Sequence, residues 1–267
     1  MILKDVCSRA ERAIRETGEF IEKESIGFDI KNTEIKGLNN FVSYVDREAE
    51  RMLIEKLTDV IPDAGFIAEE GTTHKRGKLY NWVIDPLDGT TNFLHGVHPY
   101  AISVGLIYAD EIIAGVVHEP GQNETFIAWK DGGAWLNGSR IKASDVSSLS
   151  DSLVATGFPY SQFNRLAPYM ELLTYLVKNT HGIRRLGSAS IDLAYVACGR
   201  FDVFFEYDLK PWDITAGTII LREAGGKVSD FRGNMKGLTG DEIIAANALV
   251  FQEILGIIGG FMNIIPE

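Results

Sequence analysis

Acidic side chains that could hold a metal gather in three short stretches of the chain. Glu69 and Glu70 end an apolar run, Asp85 and Asp88 bracket Pro86-Leu87 in Asp85-Pro86-Leu87-Asp88-Gly89-Thr90-Thr91, and Asp213 follows Lys210-Pro211-Trp212, shortly after Glu206. Trp82-Val83-Ile84 has the pattern of a buried strand, Pro86 fixes the chain as it leaves the sheet, and Gly89 permits a tight turn. Two carboxylates three residues apart on a rigid turn can then face one point. Like charges held that closely need a cation between them or a proton on one of them. Oxygen ligands with no Cys or His beside them select a hard ion such as Mg²⁺. A single Asp-x-x-Asp is most often a solvated acidic turn; the preceding Glu-Glu and the following Gly-Thr-Thr set this one apart. Asp213 alone reads as a helix-start aspartate answering the macrodipole, because Pro211 is placed to open a helix.

The elements that must position these groups follow from periodicity. Val6, Ala10, Ala13, Ile14, Thr17, Phe20 and Ile21 recur at spacings of three and four, which predicts an amphipathic helix over 4–24. A second helix is predicted over about 46–58, with Ala49, Met52, Leu53 and Leu57 as its buried stripe, Ser43 or Asp46 as cap, and Pro62 beyond its end. Between them Lys36-Gly37-Leu38-Asn39-Asn40 reads as a short polar loop. Across 65–136 short apolar runs alternate with turn clusters, the pattern of a mostly antiparallel sheet. Beyond Asn137-Gly138, strand candidates at 152–156, 182–186, 201–206, 226–230 and 242–246 alternate with helices near 164–178, 188–198, 212–224 and 248–263. The chain thus divides into an α+β half, 1–140, carrying most of the acidic groups, and an α/β half, 141–267, carrying Asp213. No linker separates them, so they are expected to pack as one unit.

Composition narrows the partners. The 267 residues include 26 Lys+Arg against 37 Asp+Glu, a net charge of −11, which repels phosphate backbones and argues against direct nucleic-acid binding. Two distant cysteines, Cys7 and Cys198, exclude a disulfide framework and a Cys-based zinc site, and fit a reducing cytoplasm. The charged N-terminus is no signal peptide, and 245–265 is too interrupted by Asn247, Gln252, Glu253 and Gly259-Gly260 to span a membrane. His95 and His98 read as loop residues near the site mouth, 71–78 as a mobile loop, and Arg184-Arg185 as either a phosphate clamp or an interface or salt-bridged strand end.

The run Trp82-Val83-Ile84-Asp85-Pro86-Leu87-Asp88-Gly89-Thr90-Thr91-Asn92-Phe93 resembles the first motif of the inositol monophosphatase family. Pro211-Trp212-Asp213-Ile214-Thr215-Ala216-Gly217, with Glu223-Ala224-Gly225-Gly226, resembles the second, and the likeness runs from the first helix to Gly240-Asp241. It implies the layered αβαβα sandwich of the inositol monophosphatase and fructose-1,6-bisphosphatase type, an α+β / α/β fold of lithium-sensitive, Mg²⁺-dependent sugar phosphatases. The resemblance makes Glu69, Asp85, Asp88, Asp213 and the Leu87 carbonyl ligands of two or three Mg²⁺. Glu69, Thr90 and Asp46 become catalytic, the last two orienting the attacking water, with Lys36 near the metals and Glu70 a supporting neighbour. Gly89 and Thr90 would meet the phosphate, and Asp88, Glu206, Asp213 and the backbone of Gly187, Ser188 and Ala189 the substrate hydroxyls. A cytoplasmic homodimer hydrolysing myo-inositol monophosphate is the expected protein.

The chain departs from the family pattern at Gly71, where many members have Ser, and in Gly157-Phe158-Pro159, where animal members have a serine near the inositol. Nucleotide phosphatases have Lys-Glu in place of Thr91-Asn92. Fructose 1,6-bisphosphate, histidinol phosphate and 3′-phosphoadenosine 5′-phosphate stand as alternative substrates. A regulatory role is the other alternative, since bacterial members of this branch can bind transcription machinery; Arg184-Arg185 and the C-terminal helix would carry it.

Overall fold

The first apolar stripe, with Val6, Ala10, Ile14, Thr17 and Ile21, is the buried face of helix α1 (Leu3–Ser25) in a computed structural model of the chain. The structure describes residues 2–28, 33–37, 40–234 and 241–262, with no side chain in 33–37 or 40–42. Helix α2 (Tyr44–Val60) is capped by Ser43, whose Oγ accepts the Val45 N–H at 3.1 Å, while Asp46 reaches back to accept the Ser43 N–H at 2.8 Å. Of the expected polar loop at 36–40, Lys36, Gly37 and Asn40 lie instead in a two-stranded antiparallel ribbon, β1 (Thr33–Gly37) and β2 (Asn40–Ser43), and the remaining two positions fall outside the described residues. Polar residues at the ends of short strands carry a loop signal even where the backbone is extended, so the polar run hid the strands. Lys36 therefore lies on β1, and its predicted place beside the metals falls outside the described residues.

The next strands are β3 (Gly65–Ala68), β4 (Tyr80–Asp88), β5 (Ala101–Tyr108), β6 (Glu111–Glu119), β7 (Glu124–Trp129), β8 (Gly133–Leu136) and β9 (Ser139–Ile141), which lie in sequence order in a seven-stranded sheet. Neighbours are antiparallel except β3 and β4, which run parallel. Helix α3 (Thr90–Leu94) joins β4 to β5. The second sheet holds β10 (Leu153–Thr156), β11 (Gly182–Arg184), β12 (Val203–Tyr207), β13 (Lys227–Ser229) and β14 (Glu242–Ala246) in the order β11-β10-β12-β14-β13. Helices α4 (Leu166–Asn179), α5 (Ala189–Ala197), α6 (Pro211–Glu223) and α7 (Phe251–Met262) complete the fold.

Strand alternation decides the layering, because successive side chains enter opposite faces. On β5, Ile102, Val104 and Leu106 join Ile14 and Leu53 in a core under α1 and α2, whereas Ala101 faces α5 and α6. On β12, Phe204 faces the same central helices, and Val203, Phe205 and Tyr207 pack under α4 and α7. Every residue of α5 is buried, as a helix between two sheets requires. The layers therefore run α, β, α, β, α. No helix among the described residues is long and apolar enough to cross a membrane; α7 buries Phe251, Ile254, Ile258 and Met262 against the second sheet. The loop at 71–78, expected to be mobile, is tied down: the Lys75 carbonyl accepts the Phe66 N–H at 2.8 Å, and Asn81 Oδ1 accepts the Gly77 N–H at 3.0 Å.

Candidate active site

Parallel pairing brings the ends of β3 and β4 side by side. Ala68 is in register with Ile84, and the Glu69 N–H donates to the Ile84 carbonyl at 3.2 Å, so Glu69 arrives next to Asp85. In a regular strand, residues three apart point to opposite faces. Here a register shift intervenes: Asp85 pairs with Ser103 and Asp88 with Ala101, a step of three residues on β4 against two on β5. The extra residue lets both aspartates line the same cavity. Leu87 sits in that step, its N–H donating to Asp85 Oδ1 at 3.0 Å and its carbonyl accepting the Thr90 hydroxyl at 3.0 Å. Gly89 then opens α3 in the left-handed region, at φ 91°; a Cβ there would stand 3.1 Å from the Gly187 carbonyl and 3.2 Å from that of Pro99.

The second half closes the site. Asp88 Oδ2 accepts the Ser188 hydroxyl at 2.7 Å, the Ser190 N–H at 2.8 Å and the Ser190 hydroxyl at 2.6 Å, tying the start of α5 to β4. Ser188 is 1 % exposed and reaches the site through Asp88, whereas Gly187 and Ala189 lie on the cavity wall. Asp213, in the first turn of α6, accepts the Lys210 N–H at 2.7 Å, and the Ser103 hydroxyl donates to the Trp212 carbonyl at 3.2 Å. On the other side Thr90 Oγ1 is 3.1 Å from Asp46 Oδ1, and the second Asp46 oxygen is held by the N–H and hydroxyl of Ser43. Glu69, Asp85, Asp88, Glu206 and Asp213, together with Gly89 and Thr90, thus line one cavity of about 260 Å³. Glu70 is held through its N–H by Glu50, at 2.7 Å, and does not line it.

Burial raises the Asp85 carboxyl well above its ordinary range, and the charges of Glu69, Asp88 and Asp213 raise it further. Asp213 is driven up by burial and then by Asp88. Asp88 and Asp46 are also raised by burial, opposed by their serine hydrogen bonds and, for Asp46, that of Thr90. Carboxylates that resist one another in this way are relieved by a divalent cation, and the all-oxygen donor set suits Mg²⁺. Among the described residues no three His, Cys, Asp or Glu side chains are gathered closely enough to hold a single ion between them. Mg²⁺ takes only one or two protein carboxylates and keeps waters, so the residues fit ions shared between pairs of these side chains rather than a closed cage.

Glu206 comes from β12, where Gly157 makes room for it: a Cβ at 157 would stand 2.0 Å from its Oε1. That approach leaves no room for a side chain at 157 while Glu206 holds this position. Burial pushes the Glu206 carboxyl from 4.5 up to about 8, with Asp88 and Asp208 adding to the rise and Arg185 opposing it. Between those values the metal-free folded chain binds a proton that the unfolded chain has released, so stability falls as pH rises through the window. Glu206→Gln should remove this loss. In chelator, its stability relative to the parent is expected to climb by up to about 4 kcal/mol between pH 4.5 and pH 8 in urea unfolding. A pH-independent difference would show that Glu206 titrates normally.

Several wall residues were not legible as such in the sequence. Arg184 and Arg185 part company: Arg185 lines the cavity, 5.8 Å from the Phe158 ring centroid, while Arg184 donates to the Ile183 carbonyl at 2.9 Å. Asp208 accepts the N–H groups of Tyr160, Ser161 and Gln162 at 3.1, 2.8 and 3.1 Å and so brings Tyr160 and Ser161 to the wall. Lys210 lines it too, and its place just before Pro211-Trp212-Asp213 was the one available signal. Neither His95 nor His98 does; His98 Nδ1 lies 2.8 Å from Glu119 Oε1.

Five alternating layers with an acidic cavity at the meeting of β3, β4, β12 and α6 define the layered αβαβα sandwich. The sequence pattern of the inositol monophosphatase family matches residues 3–257. The chain is 42 % identical over 250 residues to a putative Nus factor SuhB of Neisseria meningitidis serogroup B, covering 93 % of this chain and 96 % of that one. It is 41 % identical over 233 residues to an inositol-1-monophosphatase of Rhizobium meliloti, covering 86 % and 88 %. The crystal structure of the extragenic suppressor protein SuhB from Bartonella henselae superposes with a TM-score of 0.88 at 34 % identity, over 96 % of this chain and 98 % of that one. The chain belongs to the inositol monophosphatase family.

Proposed function

We propose that this chain is a Mg²⁺-dependent phosphomonoesterase, with myo-inositol monophosphate as substrate and two or three ions per site. The observation that carries the reading is the convergence of Glu69, Asp85, Asp88 and Asp213 beside a Thr90–Asp46 pair. Bound Mg²⁺ would lower the pKa of a coordinated water and neutralise charge on the phosphoryl and leaving oxygens. Glu69, Asp85, Asp88, Asp213 and the Leu87 carbonyl would hold it. Thr90 has one hydroxyl proton and two acceptors, Asp46 and the Leu87 carbonyl. Were the carbonyl engaged as a ligand, the Thr90 proton would go to Asp46, and the free lone pairs of Oγ would accept a hydrogen bond from the water and hold its oxygen toward phosphorus. Gly89 and Thr90 face the phosphate, and Asp88, Glu206, Asp213 and the Gly187–Ala189 backbone face the substrate hydroxyls, with Ser188 acting through Asp88. Water and ester become alcohol and phosphate with no covalent enzyme intermediate.

Hydrolysis of inositol 1-phosphate should disappear in chelator, return with added Mg²⁺ and be inhibited by lithium. A panel including fructose 1,6-bisphosphate, histidinol phosphate and 3′-phosphoadenosine 5′-phosphate, ranked by kcat/KM, identifies the substrate. Failure to cleave any monoester with Mg²⁺ present would overturn the proposal. Relatives that bear the name Nus factor support a second reading, in which a homodimer of this chain binds transcription machinery. An affinity capture with Asp213→Asn should retain those components if the reading holds, and their absence counts against it.

A further inference from the structure

We propose that Glu50 is a positioning residue for Glu69, and that helix α2 is the common reference holding both the metal-facing carboxylate of Glu69 and the Thr90 hydroxyl; this rests on the metal-dependent reading above. Glu50 is fully buried and one helical turn beyond Asp46, so the two carboxylates leave the same face of α2. Asp46 takes the Thr90 hydroxyl. Glu50 takes the loop that follows β3: its Oε2 accepts the Glu70 N–H at 2.7 Å, and its Oε1 accepts the Thr72 N–H and the Thr72 hydroxyl, each at 2.7 Å.

These bonds clamp the two peptide groups that flank the Glu69 Cα. The peptide before it is tied to β4, because the Glu69 N–H donates to the Ile84 carbonyl at 3.2 Å, one residue from Asp85. The peptide after it is tied to α2 through the Glu70 N–H. Gly71, at φ 65°, turns the chain so that Thr72 comes back to the same carboxylate. Glu69 is thereby suspended between the strand that carries Asp85 and the helix that carries Asp46. A buried carboxyl group holding three donors from one loop is a rigid anchor, whereas an apolar residue at 50 would leave two backbone N–H groups without these acceptors.

The test uses the full-length, metal-stripped protein and three variants, Glu50→Ala, Glu50→Gln and Thr72→Val, with Leu53→Ala as a control that damages α2 packing at a fully buried site away from the cavity. Mg²⁺ binding is measured by calorimetric titration, and amide hydrogen exchange is followed across 69–72. Supporting partners of metal ligands typically change affinity by about 10–100-fold. Glu50→Ala is therefore expected to weaken Mg²⁺ binding at least about tenfold and to speed exchange at 70 and 72, with kcat at saturating Mg²⁺ changed less than affinity. Glu50→Gln, which keeps one carbonyl oxygen, and Thr72→Val, which removes one donor, should fall between it and the parent. They carry the same test if Glu50→Ala does not fold. Unchanged Mg²⁺ affinity in the variants while the parent binds normally overturns the positioning role alone. An equal loss in Leu53→Ala overturns it by showing a generic effect of destabilising α2. A parent that binds no Mg²⁺ overturns the metal-dependent reading and this proposal with it.

Discussion

Asp85→Asn is expected to lower turnover at least about 10³-fold, some 4 kcal/mol of transition-state stabilisation, while making the metal-free protein more stable than the parent. Asp85 is 2 % exposed, and burial and the charges of Glu69, Asp88 and Asp213 hold its carboxyl well above the usual range. A folded-state pKa raised above the unfolded value makes ionisation a cost to folding at every pH above the unfolded value, so a neutral side chain of the same shape removes a penalty at pH 7. The gain should be about 1–3 kcal/mol, since Asn keeps the oxygen that accepts the Leu87 N–H. With Mg²⁺ the order reverses: ions that bind only the folded parent raise its unfolding temperature, and the variant should lose most of that increment. Thermal unfolding with and without Mg²⁺, beside steady-state kinetics, reads both effects. A variant with parental turnover at saturating Mg²⁺ would remove Asp85 from the ligand set.

Thr90→Ala should lower kcat by about 10²–10³-fold while the Mg²⁺ concentration for half-maximal activity moves less than about threefold. The hydroxyl bonds to Asp46 and the Leu87 carbonyl, and neither bond is to Asp85 or Asp213. Asp46 keeps both bonds from Ser43, so the loss to stability should be about 1 kcal/mol. Thr90→Ser keeps the hydroxyl and should recover most of the rate. Equal losses in kcat and in Mg²⁺ affinity would show that Thr90 supports the ions and does not orient the water.

Local pattern carried much of this architecture. Both N-terminal helices follow from their apolar stripes, the meander from alternating runs and turn clusters, and the acidic motifs from their own spacing, because each is a relation among residues a few positions apart. The paired strands at 33–37 and 40–43 were missed for the same kind of reason, since a polar signal over a few residues masked two short strands.

What the sequence determined by itself was the inventory: which carboxylates are available, which segments are helix and strand, and membership in a family with two recognisable motifs. The tertiary structure decided which of those groups meet. The added residue in β4 turns Asp85 and Asp88 to one cavity, the start of α5 holds Asp88, Gly157 admits Glu206, Arg185 lines the wall while Arg184 does not, and Glu50 holds the loop after Glu69. None of these has a local signature, because each depends on strand register and on hydrogen bonds between distant segments. Such contacts form only once the layers have packed and removed the alternative of bonding to water.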